Sequence, residues 1–358
     1  MFGLVEQHPL QDVTSSVNPL HRIQFKAKRT LKGHLSKVFS CGWAKDSKHL
    51  VSASQDGKLM VWDAHSTHKV HAIPMKSAWV MSCCFSQKTP RFVASGGLDN
   101  ACTVYALQAR KDNVYTSQEF SAHSGYVACC RFIDDNDILT ASGDTTAILW
   151  DVSTGKMKTV YHGHCEGVMS ISVAPDKRTF ITGACDATVR LWDIRDGLCR
   201  QSFAGTDLDV NVVVFHPTNL SFACLADMED EDEGEGGGAH QGADSCMCLF
   251  DLRSDNKIGE TRAFRFSFTS MDFTKSGRLA VVGTSADPSL INPATNTGPS
   301  KMIVYDVLKF DDKNATRIEK AHDHTISHIS VSHDGSALCT SSHDTLLKVW
   351  TAGHPRTD

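Results

Sequence analysis

Apolar runs rich in β-branched residues recur along the chain, and three of them close on the dipeptide Trp-Asp. Lys58-Leu59-Met60-Val61 leads to Trp62-Asp63, Thr146-Ala147-Ile148-Leu149 to Trp150-Asp151, and Thr188-Val189-Arg190-Leu191 to Trp192-Asp193. Weaker versions end at Tyr105, Phe250, Tyr305 and Trp350. Runs of this kind read as strands. The seven aromatic positions are separated by 43, 45, 42, 58, 55 and 45 residues, so one unit is repeated around the whole chain.

Four of those gaps match a WD repeat of about 40–45 residues, and two carry extra length. The pattern predicts an all-β protein, a seven-bladed WD-repeat β-propeller with a short N-terminal extension. Arg29-Thr30-Leu31 precede the first Gly-His pair and are placed to supply the outer strand of the last blade, which locks the ring. The expected boundaries are 1–27 for the extension and 28–351 for the propeller, with insertions at 228–243 and 288–300.

A second marker fixes the register. His34, His123, His164 and His322 each precede a Trp (Trp62, Trp150, Trp192, Trp350) by 27 or 28 residues. Between them lie a hydroxyl residue (Ser52, Thr140, Thr182, Thr340) and a turn Asp (Asp56, Asp144, Asp186, Asp344). A hydrolase needs a Ser/Thr, His and Asp set once, beside an oxyanion hole. Here it recurs four times in one register with a Trp, which points to a buried hydrogen-bond network within each blade. No catalytic residue and no cofactor is expected.

The longer gaps hold two insertions. The first, around Glu229–Ala239, is acidic and Gly-rich and lacks the apolar content to order itself. Its Asp-Glu run lacks the alternate-position spacing of a calcium loop. The second, 288–300, is a Pro/Asn/Gly loop. Both fall between the second and third strands of their blades, and those turns open on the same rim as the loops entering each first strand. The register places Lys37, Trp79, Tyr126, Gly167, Asp209, Ser267 and Thr325 on that rim, with Leu98, Asn100, Cys185, Asp227 and His343 from the facing turns. Trp79, Tyr126, Leu98, Met81 and Met169 make an apolar patch there, which reads as a protein interface.

Charge narrows the partners. The 358 residues carry a net charge of -5, and removing the eight acids of 227–244 leaves the rest at +3. Without a basic block, phosphate-driven nucleic-acid binding is a poor fit. No apolar run approaches the roughly 18 residues needed to span a membrane. The thirteen cysteines, an odd number without a secretory signal, are expected to be reduced and mostly buried. Together these features point to a soluble, cytoplasmic protein. His322, His324, His328 and His333 lack a zinc spacing with Cys or acids, and His322 already belongs to a blade network, so surface histidines and no metal are expected.

Leu50-Val51-Ser52-Ala53-Ser54-Gln55-Asp56-Gly57-Lys58-Leu59, Gly96-Gly97-Leu98-Asp99-Asn100, Ala141-Ser142-Gly143-Asp144-Thr145-Thr146 and Gly183-Ala184-Cys185-Asp186 resemble heterotrimeric G-protein β subunits. So do Trp79-Val80-Met81, Gly125-Tyr126 and Asn18-Pro19-Leu20-His21-Arg22-Ile23-Gln24; the match is dense from about Val17 to Phe215. The resemblance implies a seven-bladed propeller that binds a γ subunit, holds a GDP-bound α subunit on the rim, and meets effectors through the same surface. It implies peripheral placement at the inner face of the plasma membrane through partners. Its α-contacting positions fall on Leu35, Lys37, Phe39, Lys58, Trp79, Met81, Leu98, Asn100, Tyr126, Met169, Cys185, Asp209, Asn211 and Asp227.

The sequence departs from that family at three rim positions. Phe39 stands for a usual Tyr, Gly167 for a usual Asp and His343 for a usual Trp, which removes a hydroxyl, a charge and a large anchor. The family opens with a long helix paired with γ, whereas here about 16 residues precede Val17 and Pro9 interrupts them. Either the chain is an incomplete gene product or γ pairs through the propeller alone. Two functions compete: a non-catalytic G-protein β-like subunit, and a divergent WD-repeat scaffold outside the trimer. Excising Glu229–Ala239 should leave the thermal midpoint nearly unchanged, because closure entropy varies slowly with loop length. A large drop would show that the segment packs or binds an ion.

Overall fold

The computed structural model describes residues 23–107, 114–204, 208–227, 245–263, 266–292, 295, 297–309 and 314–353. The acidic insertion 228–243 and residues 1–22 of the extension lie outside them. The described residues form seven four-stranded antiparallel sheets, the blades of a closed propeller. The first strands, from blade one to blade seven, are Val38–Trp43, Val80–Phe85, Val127–Phe132, Val168–Val173, Asp209–Phe215, Phe268–Phe273 and Ile326–Val331. Six blades add their next three strands in chain order; blade seven takes its fourth from the start of the chain.

That closing strand is Phe25–Leu31, paired antiparallel with Leu347–Ala352 from Phe25 opposite Ala352 to Leu31 opposite Leu347. It begins three residues ahead of the boundary at 28, so Phe25–Ala27 belong to the propeller. Closure matters because an open ring would leave two blade edges without partners.

Burial explains why these runs form strands. In blade one the third strand, Lys58–Asp63, buries four consecutive residues, as expected of a strand covered on both faces. The outer strand Lys69–Pro74 alternates toward solvent. The hydrophobic core is divided among the seven blade–blade interfaces. Between blades two and three, for example, Cys84, Cys102, Val104 and Phe120 meet Val127, Cys130, Ile138 and Trp150. Ten cysteines are buried, and Cys165 and Cys199 are exposed.

Neighbouring blades are also stitched by hydroxyls on the innermost strands. Ser40 Oγ accepts the Cys83 N–H at 3.2 Å, Ser82 Oγ that of Cys130 at 3.2 Å, and Ser170 Oγ that of Val213 at 3.2 Å. Ser270 Oγ takes Ile329 N–H at 2.7 Å, and Ser327 Oγ donates to the Val38 carbonyl at 2.7 Å. Each bond satisfies a buried backbone group that the first strand, with no strand on its inner side, cannot pair within its own sheet.

The repeated polar sets are assembled inside four blades. In blade four Trp192 Nε1–H donates to Thr182 Oγ1 at 2.8 Å, which lies 2.7 Å from His164 Nε2, and His164 Nδ1 lies 2.9 Å from Asp186. A carboxylate only accepts, so Nδ1 carries the proton and the hydroxyl donates to Nε2. The same chain runs through Trp62, Ser52, His34 and Asp56. Trp150, Thr140, His123 and Asp144 repeat it, as do Trp350, Thr340, His322 and Asp344. Each Asp also holds its turn: Asp186 accepts the N–H groups of Cys165 and Thr188 at 3.0 and 3.1 Å. The residue after the Asp is left-handed, as at Gly57 (φ 76°) and Thr145 (φ 72°).

The described residues of insertion 288–300 carry a short turn and paired strand ends. A 3-10 turn spans Pro288–Leu290, and Asp287 N–H donates to Pro299 O at 3.1 Å, extending the blade-six hairpin.

Burial pushes the His34 and His164 imidazoles below their ordinary value of 6.5, against the hydrogen bonds to Asp56 and Asp186. The unfolded chain therefore takes up protons near that value which the folded chain refuses, so stability falls as the pH drops through it. Burial raises the carboxyls of Asp56 and Asp186, but the hydrogen bonds they accept outweigh it and hold both low. Their contribution is lost only as the pH falls through those lowered values. Asp186→Ala strands the His164 and Cys165 N–H groups, so thermal unfolding at neutral pH should show a loss of about 1–3 kcal/mol. The wild-type midpoint should fall between about pH 7.5 and pH 5.5. An Asp186→Ala variant with an unchanged midpoint and a lost hydrolytic activity would reverse the structural reading.

Candidate functional site

One rim collects the residues singled out above, because in each blade the entry loop is bonded to the facing turn. The N–H of Gln55 donates to Lys37 O at 2.9 Å, Leu98 to Trp79 at 2.9 Å, and Gly143 to Tyr126 at 2.9 Å. Cys185 donates to Gly167 at 3.0 Å, Ser285 to Ser267 at 2.9 Å, and His343 to Thr325 at 3.0 Å. In blade five Asp209 sits opposite Asp227 in the ladder. Asp227 and Ser245 end the strands flanking the acidic insertion, and the blade-six hairpin leaves from the same rim.

Blade two supplies the apolar high point. Trp79 is 52% exposed and Leu98 51% exposed, held side by side by the Leu98–Trp79 backbone bond. Gly97 is required there, since a Cβ would stand 2.0 Å from the Trp79 carbonyl oxygen. Asn100 takes a left-handed φ of 60°, and its amide reaches Ser124 O in blade three at 3.3 Å. In blade three the Tyr126 ring lies over Gly143, and its hydroxyl is 3.4 Å from Met169 Sδ in blade four.

Blade one contributes the cations and a projecting Leu. Leu35 is 82% exposed, its N–H held by Asp56 at 3.0 Å; the same carboxylate holds the Lys58 N–H at 3.1 Å. Lys37 and Lys58 are both exposed. Cys185, Asp209 and Asp227 are half-buried around blades four and five.

Phe39, Met81, Met169 and Asn211 differ from the others in facing the axial channel, a cavity of about 350 Å³. The apolar patch therefore continues down into the channel mouth. Deeper in, Arg131 Nη1 donates to Ser82 Oγ at 3.2 Å and Cys130 O at 2.9 Å. Asp272 accepts the Val331 N–H at 2.7 Å, and burial pushes its carboxyl up to about 6 against that bond. Sequence reasoning missed both groups. Their signal was available: each is a lone charge inside an otherwise apolar or small-residue strand.

The four histidines weighed as ligands do not converge. His322 is fully buried in its blade network, where the repeat register placed it. His328 lines the channel beside Cys41, 3.9 Å away, so it too is off the outer surface. His333 is exposed. His324 instead packs against His343, with ring centroids 5.4 Å apart.

Comparison with known proteins agrees with this architecture. The family model described as "G protein beta WD-40 repeat protein" matches residues 5–351. The guanine nucleotide-binding protein subunit beta-1 of Caenorhabditis briggsae is 54% identical over 175 residues. That stretch is 49% of this chain and 51% of the relative, so the similarity spans about half of each. With a closed seven-bladed ring and a family match running nearly its whole length, the chain belongs to the G protein beta WD-40 repeat family.

Proposed function

We propose that this chain is a non-catalytic G-protein β subunit in signal transduction. In this reading the rim around Trp79 holds a GDP-bound α subunit and, after its release, presents the same face to effectors. A γ subunit is the further partner, and the chain meets the inner face of the plasma membrane through its partners. The observation that carries the reading is the half-exposed Trp79–Leu98 pair on a rim that also bears Lys37, Lys58 and Asp209. A large rigid aromatic beside flanking charges suits a docking surface, since Trp loses little rotamer freedom on burial.

Trp79→Ala should weaken binding of a GDP-bound α subunit by about 2 kcal/mol or more without unfolding the propeller. Lys37→Ala should cost less, and its effect should shrink as salt rises because the ammonium is exposed. Titration of the α subunit against both variants at two salt concentrations makes the measurement. Wild-type affinity in Trp79→Ala would move the chain to the alternative, a divergent WD-repeat scaffold whose partners lie outside the trimer.

A further inference from the structure

The blade seven–blade one corner of the rim holds three nitrogen-bearing side chains that make no hydrogen bond or ion pair to a carboxylate among the described residues. His343 stands on the blade-seven turn, edge-on to Phe39 of blade one (centroids 5.4 Å, 73°) and tilted against His324 (5.4 Å, 60°). Neither ring nitrogen of His343 has a hydrogen-bond partner among the described residues. His324 Nδ1 accepts the Thr325 N–H at 2.8 Å, so this nitrogen is unprotonated and Nε2 carries the proton. The His324 carbonyl is pinned by Ser300 Oγ at 2.7 Å and Ser342 Oγ at 3.1 Å, which fixes the ring's base. Lys37 is exposed beside them and makes no ion pair among the described residues.

The charges facing His343 are few. Lys37 and His324 oppose its protonation, and Asp344 favours it. Asp344 is already committed to His322 and to the N–H groups of Asp323 and Leu346. Burial, then Lys37, then His324 push His343 down to about 4, and burial with Lys37 lowers His324. Near neutral pH the corner therefore presents one ammonium and two neutral imidazoles at the edge of an apolar patch. A metal cation would meet the Lys37 charge. An anion would meet that charge favourably and would supply the counter-charge that lets an imidazole ionise.

We propose that Lys37, His324 and His343 form a receiving site for a carboxylate side chain of a docked protein partner, and that His343 gains a proton as the carboxylate seats. This rests on the rim being the docking face. The proton comes from solvent, so binding and proton uptake are linked. Binding therefore tightens as the pH falls, by about tenfold between pH 7.5 and pH 5.5 if the seated carboxylate returns His343 to the ordinary His range.

The test measures binding of a GDP-bound G-protein α subunit at those two pH values to wild type, His343→Gln, His324→Gln and Trp79→Ala. Calorimetry in two buffers of different ionisation heat counts the protons taken up. Wild type should tighten and take up protons, and His343→Gln should lose most of both. His324→Gln should bind with a reduced pH response, and Trp79→Ala should bind more weakly while keeping its pH response. Comparing each variant with wild type at the same pH removes titration within the α subunit itself. A His343→Gln variant with the wild-type pH response and proton uptake would overturn the proposal while leaving the rim reading intact. Binding that requires added zinc would replace the carboxylate with a metal bridge and also overturn it. Absence of α-subunit binding in wild type would defeat the rim reading and this site together.

Discussion

Everything on the rim depends on closure of the ring by Phe25–Leu31 against Leu347–Ala352. Leu31 is fully buried and joins Leu347 and Val349 in the cluster between blades seven and one, so the closing strand packs as well as pairs. Without it, the third strand of blade seven would end as an open edge. Closure also sets which side chains become neighbours across the seam. Phe39, near the start of the chain, meets His343, near its end, only because blade one is brought against blade seven.

Within the blades, two solutions to the same packing position coexist. Blades one, three, four and seven place a Trp and a hydroxyl at the paired positions and satisfy both through His and Asp. In blade five the equivalent pair is Cys224 and Phe250, and Phe250 stacks on Phe222 at 5.2 Å. Replacing donor and acceptor together with apolar groups costs little, whereas removing one alone leaves a buried group unsatisfied. This explains how blade five loses the motif entirely without breaking the ring.

Much of this was legible in the sequence because the repeat is a physical unit. The Trp-Asp spacing and the His-to-Trp interval fixed strand order and register, and register alone put Trp79, Leu98 and His343 on one rim. The closing strand was visible at Arg29-Thr30-Leu31, but its start was not: Phe25 to Ala27 carry no repeat signal and are strand only through their partner. The inward turn of Phe39, Met81 and Met169 into the channel was missed because a period of two names a face without saying what lies beyond it. His324 was equally hidden. Its pairing with His343 links an entry loop to a turn 19 residues on, a contact that no local pattern encodes.

The central claim is that one rim of this propeller is its docking face, and amide hydrogen exchange with and without a GDP-bound α subunit tests it most directly. The account predicts slowed exchange in the entry loops and facing turns, at 35–39, 77–81, 97–101 and 124–128. Exchange should stay unchanged in the turns of the opposite rim, at 44–48, 133–136, 174–178 and 216–220. Protection confined to those opposite turns, with the Trp79 and Leu98 segments exchanging as in the free protein, would contradict it.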